Sequence, residues 1–269
     1  MRQQLQQAAI RAADRVTAGI PQAVPDRLAL QNCKIISHRG EHDNGTVIEN
    51  TLQAFDNARA AGVWGMECDI RWTRDLVPVI HHDASGTRLF GDPAMLYRLT
   101  FTELRRRLPL IPSLAELVAE FGGNTHLMLE IKADHYPQPA RQKRVLQELL
   151  SPLTPGQDYH FLTLDPALAE YVDFLPGRYC VLVAELNMPR LSRYSLERGL
   201  GGLAGHFLLL SDAVKQRHMA AGQHTGTGYI SSRNCLFREL NRGIEWIFSN
   251  DAIKIQQIRD RQLALRPRP

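Results

Sequence analysis

The feature that most constrains the fold is a regular alternation of short apolar runs with helical patterns along the 269 residues. The helices have recognisable ends. Asp165 before Pro166 marks the start of one predicted helix, and Gly222 marks the end of another. Strands that alternate with helices pair in parallel, and eight of them favour a closed barrel. The sequence therefore predicts an α/β protein, a (β/α)8 or TIM barrel. The predicted strands are 33–37, 65–70, 125–131, 159–164, 179–185, 203–210, 227–232 and 245–250.

A ninth strand-like run, residues 77–80, lies only a few residues after the second strand. A parallel crossover needs a dozen residues or more, so this run is predicted to return antiparallel, as a β-hairpin after strand 2. The hairpin would bring His82 back to the C-terminal mouth of the barrel. Alternation along a strand would turn His81 the other way.

The composition favours one globular domain, residues 1–269. Hydrophobic residues make up 44% and charged residues 22% of the chain, values typical of soluble proteins. The first thirty residues are predicted to form a helical cap that closes the bottom of the barrel. No apolar run is long enough for a transmembrane segment, and the polar N-terminus does not resemble a secretory signal.

The four cysteines are far apart, which is typical of reduced thiols, and a cytoplasmic location is expected. The net charge of +4 is too small and too dispersed to indicate nucleic-acid binding. The expected partner is a small molecule, and the sequence does not indicate an oligomeric state.

Polar residues gather at the C-terminal ends of the first three predicted barrel strands, where TIM barrels place their active sites. Residues two apart on a strand share a face, so Glu67 and Asp69 are predicted to point into the barrel together. Their charges would repel and resist desolvation unless a cation neutralised them. Glu130 and Lys132, which also lie two apart, could alternatively be a plain ion pair, and Glu67 and Asp69 could be edge-strand charges. The coincidence of these residues at matching strand ends favours a site. The residues are His38, Arg39, Glu67, Asp69, Glu130 and Lys132.

These side chains form a coherent chemical set. The three carboxylates suit one divalent cation, Mg²⁺ or Ca²⁺, better than Zn²⁺. Arg39 and Lys132 can neutralise a phosphate. His38 and His82 approach from different strands, so one can accept a proton while the other donates one.

Five motifs, in this order, resemble the glycerophosphodiester phosphodiesterase family, a group of phospholipase-C-like TIM-barrel phosphodiesterases. The motifs are HRG (38–40), ENT (49–51), ECD (67–69), HD (82–83) and EIK (130–132). The resemblance implies metal-dependent hydrolysis of a glycerophosphodiester to glycerol 3-phosphate and an alcohol. It also implies the roles of the residues: His38 and His82 as the acid–base pair, Glu67, Asp69 and Glu130 as metal ligands, Arg39 and Lys132 as phosphate-binding residues, and Glu49 as the partner that supports the HRG loop.

The chain also departs from the family pattern, and two alternative functions remain open. The insertion before strand 3 is shorter than is usual for the family, which leaves room for a phospholipase-D-like enzyme acting on lysophospholipids or sphingolipids. A non-catalytic phosphate-binding module is the other alternative, although a pure binder has no need of two histidines. Among the remaining residues, His160 and His206 are predicted to pack in the interior, His218 and His224 to be exposed, and Arg233 to lie near substrate or on the surface.

Overall fold

The computed structural model describes residues 15–266, and it contains the predicted barrel. Eight parallel strands close on themselves through the pairing of β1 with β2, and a ninth strand, β3, pairs antiparallel with the end of β2. The (β/α)8 prediction and the hairpin are therefore confirmed. The strands are β1 (Lys34–His38), β2 (Gly65–Trp72), β3 (Pro78–Ile80), β4 (His126–Ile131), β5 (Tyr159–Thr163), β6 (Cys180–Ala184), β7 (Gly202–His206), β8 (His224–Gly228) and β9 (Trp246–Ser249).

Two late strands lie earlier in the chain than the sequence predicted. The apolar run 203–210 ends as a strand at His206, and Phe207 and Leu210 turn away to pack against the helices. The predicted strand 227–232 instead covers His224–Gly228, whose glycines and threonines do not form an apolar run. Tyr229 then adopts a left-handed φ of 66°, which ends the strand.

Helices connect the strands, and their starts follow local capping rules. Capping boxes are present at Thr100 with Glu103 and at Ser113 with Glu116. The short insertion after the hairpin builds a small apolar core of its own around Val79. The α-helices are Arg27–Asn32, Leu52–Ala60, Thr87–Phe90, Phe101–Arg107, Leu114–Phe121, Pro139–Leu150, Met188–Glu197, Asp212–Ala220, Arg233–Asn241 and Ala252–Ala264, with 3₁₀ turns at Leu96–Arg98, Pro166–Val172 and Gly177–Tyr179.

Part of the predicted N-terminal cap lies outside the described residues. Within residues 15–266, the helix Arg27–Asn32 packs against the last two helices, Arg233–Asn241 and Ala252–Ala264. None of the helices in this part of the chain is both long and apolar enough to cross a membrane.

Strand alternation divides the side chains between two environments. Cys68 and Ile70 face the helices, whereas Ile36, Met128 and Leu162 pack inside the barrel. His38 and Glu130 lie two residues after Ile36 and Met128 on their strands, and both line the cavity at the mouth of the barrel. This alternation carries the polar residues of β1, β2 and β4 to one place.

Two of the buried histidines pack on the barrel floor. His126 Nε2 lies 2.8 Å from His160 Nδ1; the His126 ring stacks on Trp64, and the His160 ring meets Trp246 edge to face. His160 and His206 are buried, as predicted. The prediction for His218 is wrong, because this residue is fully buried and hydrogen-bonded to Ser192.

The histidine pair on the floor should make the fold sensitive to acid. Burial lowers the pKa of His126 to about 4 and that of His160 to about 3, below the value of about 6.5 expected in the unfolded chain. The unfolded state therefore binds more protons than the folded state below pH 6.5. We expect the free energy of unfolding to fall as the pH drops from 6.5 toward 4, by up to about 1.4 kcal/mol per pH unit for each ring.

Urea unfolding at several pH values measures this effect. The variant His126→Asn/His160→Asn should show a flatter pH dependence over this range, whatever its absolute stability. The exposed His135→Asn is the matched control and should keep the wild-type slope. Parallel profiles for the wild type and the double variant would show that the pair does not carry the acid sensitivity.

Candidate active site

Two histidines enter the mouth of the barrel from different elements. His38 ends β1, and its Nδ1 lies 2.6 Å from Asn250 Oδ1. His82 follows β3, and its Nδ1 lies 2.7 Å from Asp83 Oδ1. Because amide and carboxylate oxygens accept hydrogen bonds, each ring donates through Nδ1–H. This leaves Nε2 of each ring as the atom that can take up or release a proton.

The surroundings of the two rings keep them largely neutral. Burial, and then the positive charge of Arg39, lower the pKa of His38 to about 4. Burial also lowers the pKa of His82, against the opposing charge of Asp69. His81 is buried instead, with its Nε2 3.2 Å from the Ser85 carbonyl oxygen. The two adjacent histidines thus point in different directions, as alternation predicted.

Three carboxylates lie side by side below the histidines. Glu67 and Asp69 come from β2 and Glu130 from β4, and one oxygen of each lies within 4.8 Å of the others. Burial and the charges of Asp69 and Glu130 raise the pKa of Glu67 well above its usual value. Burial and Asp69 likewise raise the pKa of Glu130 to about 7. Burial would raise the pKa of Asp69 too, but Lys132 and Arg39 outweigh it and lower that pKa.

The carboxylate cluster fits a divalent cation. Glu67 Oε1 is buried and has no hydrogen-bond partner within residues 15–266. A buried polar atom without a partner is costly and requires an explanation, such as an ion that it binds. Mg²⁺ and Ca²⁺ prefer oxygen ligands of this kind. Glu67, Asp69 and Glu130 are the residues that could hold such an ion.

Two cationic side chains border the cluster. Lys132 Nζ lies 2.6 Å from Glu130 Oε1 and 3.2 Å from Asp69 Oδ1, and Arg39 Nε lies 3.3 Å from Asp69 Oδ2. Burial would lower the pKa of Lys132, but the charges of Asp69 and Glu130 outweigh it and raise that pKa. Lys132 and Arg39 bring two positive charges to three carboxylates, so the cluster retains room for further positive charge.

The HRG loop is held in a tight backbone turn. Arg39 has a left-handed φ of 60°, and its N–H donates to the carbonyl and the side chain of Glu67 at 2.9 and 3.1 Å. Gly40 also has a positive φ, and a Cβ there would lie 2.7 Å from the carbonyl carbon of Ala54. The loop therefore needs glycine at position 40 to bring Arg39 against the carboxylates.

Glu49 lies at the centre of a network that joins the two histidine-bearing loops. It is buried and accepts hydrogen bonds from Arg39 Nη1 at 3.0 Å and Arg88 Nη2 at 2.6 Å. Arg88 Nε donates in turn to Asp83 Oδ2 at 2.6 Å, and the other oxygen of Asp83 contacts His82. Burial would raise the pKa of Glu49, but the hydrogen bonds from Arg88 and the charge of Arg39 lower it to about 2. Glu49 thus contacts the HRG loop, where the resemblance implies it should be.

Two residues of the ENT motif have different structural roles. Thr51 caps the helix Leu52–Ala60, and its side chain accepts a hydrogen bond from the Ala54 N–H. Asn50 has a left-handed φ of 58° and donates from Nδ2 to Asp69 Oδ2 at 2.8 Å. Asn50 therefore orients one of the three carboxylates, a role that the sequence analysis did not assign.

These groups open into a cavity of about 210 Å³ at the C-terminal mouth of the barrel. His38, Arg39, His82 and Lys132 line it together with Glu67 and Glu130. Arg233 is absent from the lining among the described residues, and its guanidinium packs over Phe237. The structure thus brings six of the predicted site residues to one cavity, and Asp69 contacts two of them, Arg39 and Lys132.

Sequence reasoning missed several residues of this site. Arg88 is half-exposed in a short helix, and Asn250 lies 212 positions from the histidine it contacts. Tyr229 and Glu185 line the cavity from loops that follow late strands. Both residues lie one position past the observed strand ends, but the predicted strands 179–185 and 227–232 contained them, so the sequence did not mark them as mouth residues.

Comparisons with known proteins agree with this geometry. The glycerophosphoryl diester phosphodiesterase family model matches residues 38–176. Glycerophosphodiester phosphodiesterase 1 of Bos taurus is 33% identical over 146 residues, which cover 46% of this chain and 43% of that protein. A Bacillus altitudinis glycerophosphodiester phosphodiesterase is 27% identical over 130 residues, covering 43% of this chain and 52% of the relative. The chain spans about half the length of these curated relatives, or less.

Solved structures show the same fold. A Thermotoga maritima glycerophosphodiester phosphodiesterase superposes with a TM-score of 0.70 at 19% identity, covering 84% of this chain and 98% of the other. An Oleispira antarctica phosphodiesterase, in complex with the product sn-glycerol-3-phosphate, gives a TM-score of 0.71 at 22% identity, covering 86% and 99%. The family match extends over more than half of the chain and includes all five motifs. This chain belongs to the glycerophosphoryl diester phosphodiesterase family.

Proposed function

We propose that this chain hydrolyses glycerophosphodiesters to glycerol 3-phosphate and an alcohol, with one divalent cation and with His38 and His82 as the acid–base pair. The observation that carries the proposal is the convergence of both histidines on a cavity lined by carboxylates and by Arg39 and Lys132. The family match and the names of the relatives support this reaction. The product seen in the Oleispira antarctica structure supports the glycerophosphate half of the substrate.

The chain's own residues would bind and orient the phosphodiester. Arg39 and Lys132 are held against the carboxylates and would share the phosphoryl charge. A Mg²⁺ or Ca²⁺ ion held by Glu67, Asp69 and Glu130 would supply charge that stabilises the phosphoryl oxygens in the transition state.

The two histidines would move the protons. The bound phosphodiester places a negative charge near both rings, which favours their protonated forms and opposes the effect of burial. One ring takes a proton at Nε2 from the nucleophile, either water or a neighbouring hydroxyl of the substrate. The other donates a proton from Nε2 to the departing alcohol oxygen.

A substrate panel followed by ³¹P NMR tests the proposal. It should contain glycerophosphodiesters with different alcohols, lysophospholipids and a sphingolipid, each incubated with Mg²⁺ or Ca²⁺. We expect glycerol 3-phosphate as the phosphorus-containing product of the glycerophosphodiesters. Cleavage of only the lipid substrates would favour the phospholipase-D-like alternative. Binding of glycerol 3-phosphate without any hydrolysis would instead indicate a phosphate-binding module.

A further inference from the structure

Strand β2 carries a third charged residue beyond Glu67 and Asp69. Arg71 lies two positions past Asp69, so strand alternation turns its side chain to the same face. It is buried, and its ion-pair partner within residues 15–266, Asp134, lies as far as 3.9 Å from Nη1. A buried guanidinium with so distant a counter-charge needs hydrogen-bond acceptors for its N–H groups. The acceptors of Arg71 therefore show what this residue holds in place.

The N–H groups of Arg71 donate to two backbone carbonyl groups on either side of β2. Nε and Nη2 both donate to the carbonyl oxygen of His82, at 3.0 and 2.7 Å, and Nη1 donates to that of Ala133 at 2.7 Å. Hydrogen bonds from an ionised donor are stronger than those between neutral groups. The planar guanidinium also fixes the direction of its donors. Arg71 thus joins the segment that carries His82 to the chain that follows β4.

These two carbonyl groups lie where the backbone pairing with β2 has ended. The register of β2 with β3 ends at Ile80, and its register with β4 ends at Ile131. His82 and Ala133 each lie two residues further along the chain. A carbonyl group past the end of a ladder needs another donor, and the Arg71 side chain supplies it.

The ring of His82 is held by residues outside the strands. Its Nδ1 lies 2.7 Å from Asp83, and Arg88 donates to Asp83 and to Glu49, which lies in a loop. Arg71 instead fastens the His82 backbone to β2 and to the end of β4. Since these two strands also carry the carboxylate cluster, Arg71 sets the position of the His82 ring relative to that cluster.

We propose that Arg71 is a positioning residue that fixes the His82 ring for proton transfer. This inference rests on the proposed function and adds a residue to it. A misplacement of about 1 Å at a reacting group can cost about 10²-fold in rate. Lys132 is held separately, by contacts with Glu130 and Asp69 at 2.6 and 3.2 Å. Loss of Arg71 should therefore slow proton transfer and leave binding of the phosphodiester unchanged.

The variant Arg71→Met, which has a long side chain without N–H donors, tests this division. We expect kcat on a glycerophosphodiester to fall by about 10²-fold, with KM within about threefold of the wild-type value. In the His82→Ala background the same substitution should change kcat by less than about threefold, because the ring that it positions is absent. Equal losses in the two backgrounds, or a higher KM with unchanged kcat, would overturn the proposal.

The control is Arg74→Met, the same change at an exposed arginine of the same hairpin. Arg74 pairs with Glu103 on the insertion, and its loss should leave both kinetic constants at their wild-type values.

Chemical rescue tests the hydrogen bonds themselves. Ethylguanidinium completes the side chain that Arg71→Ala lacks, and an open groove lined by Ala84, Ala133 and Asp134 leads to this position. It should restore much of the lost kcat, whereas ethylammonium, a point charge without the planar fork, should not. Equal rescue by the two cations, or by neither, would contradict the proposed contacts.

Hydrogen exchange separates this proposal from the proposed function, because it needs no turnover. Backbone amides of residues 83–86 should exchange several-fold faster in Arg71→Met than in the wild type or in Arg74→Met, since the segment has lost its attachment to the strands. If no diester is hydrolysed, the proposed function fails and this measurement still tests the attachment. Unchanged exchange in Arg71→Met would overturn the positioning role.

Discussion

Chelation of divalent cations should lower the rate of hydrolysis at least about 10³-fold, and Mg²⁺ or Ca²⁺ should restore it. Lewis-acid stabilisation of a phosphoryl oxygen contributes several kcal/mol, and each 1.4 kcal/mol corresponds to a tenfold change in rate. Glu67, Asp69 and Glu130 lie within 4.8 Å of one another, and Glu67 Oε1 has no partner in residues 15–266. A bound cation would remove both the charge repulsion and the unpaired oxygen.

The variant Glu67→Gln tests the same site without relying on turnover. Mg²⁺ or Ca²⁺ should raise the thermal unfolding midpoint of the wild type, because an ion that binds only the folded state stabilises it. The shift should be much smaller in Glu67→Gln. Glu148→Gln, an exposed change of the same kind on a barrel helix, should keep the full shift. Full turnover in excess EDTA, with no metal found by elemental analysis, would contradict the three-carboxylate site.

His38→Ala and His82→Ala should each lose about 10²–10⁴-fold in kcat, the usual contribution of a general acid or base. Because the two rings are proposed to act on one phosphorus, their losses should not multiply. The double variant should be little worse than the more damaged single variant. Steady-state kinetics of the three variants on one glycerophosphodiester measure this directly.

His81→Ala is the matched control for this prediction. Its ring is buried against Ser85 and away from the cavity, so its removal should lower stability far more than it changes kcat. An ester with a good leaving group adds a second criterion, since it does not need a general acid. It should partly rescue the variant that has lost the acid and leave the other inactive, which would assign the two roles. Multiplicative losses with no rescue of either variant would refute a paired mechanism.

Much of the site could be predicted because it depends on local geometry. Residues two apart on a strand share a face, so the spacing of Glu67 with Asp69 and of Glu130 with Lys132 already indicated a common direction. The mouth of a TIM barrel lies at the C-terminal strand ends, which placed His38 beside them. The separation of His81 from His82 followed from alternation alone.

Predictions from local sequence patterns were wrong where residues distant in the chain bury the side chain or strand. His218 has a polar sequence context, yet it is buried because its helix packs against Ser192 of the preceding helix. The glycines and threonines of β8 form no apolar run, and Gly226 lies against the Phe248 ring and the Trp246 Cβ of the neighbouring strand. A glycine is needed there to leave space for those side chains, and nothing within residues 224–228 indicates them.

The sequence by itself determined the barrel, the hairpin and the polar residues at the first three strand ends, because alternation and chain connectivity are properties of neighbouring residues. Only the tertiary structure decided which groups orient those polar residues. Asn50 on Asp69, Asn250 on His38 and Arg88 on Glu49 are contacts across 19 to 212 positions of sequence. Closure of the barrel brings such residues together, and no periodic pattern records which partner a polar side chain will meet when the strands pair.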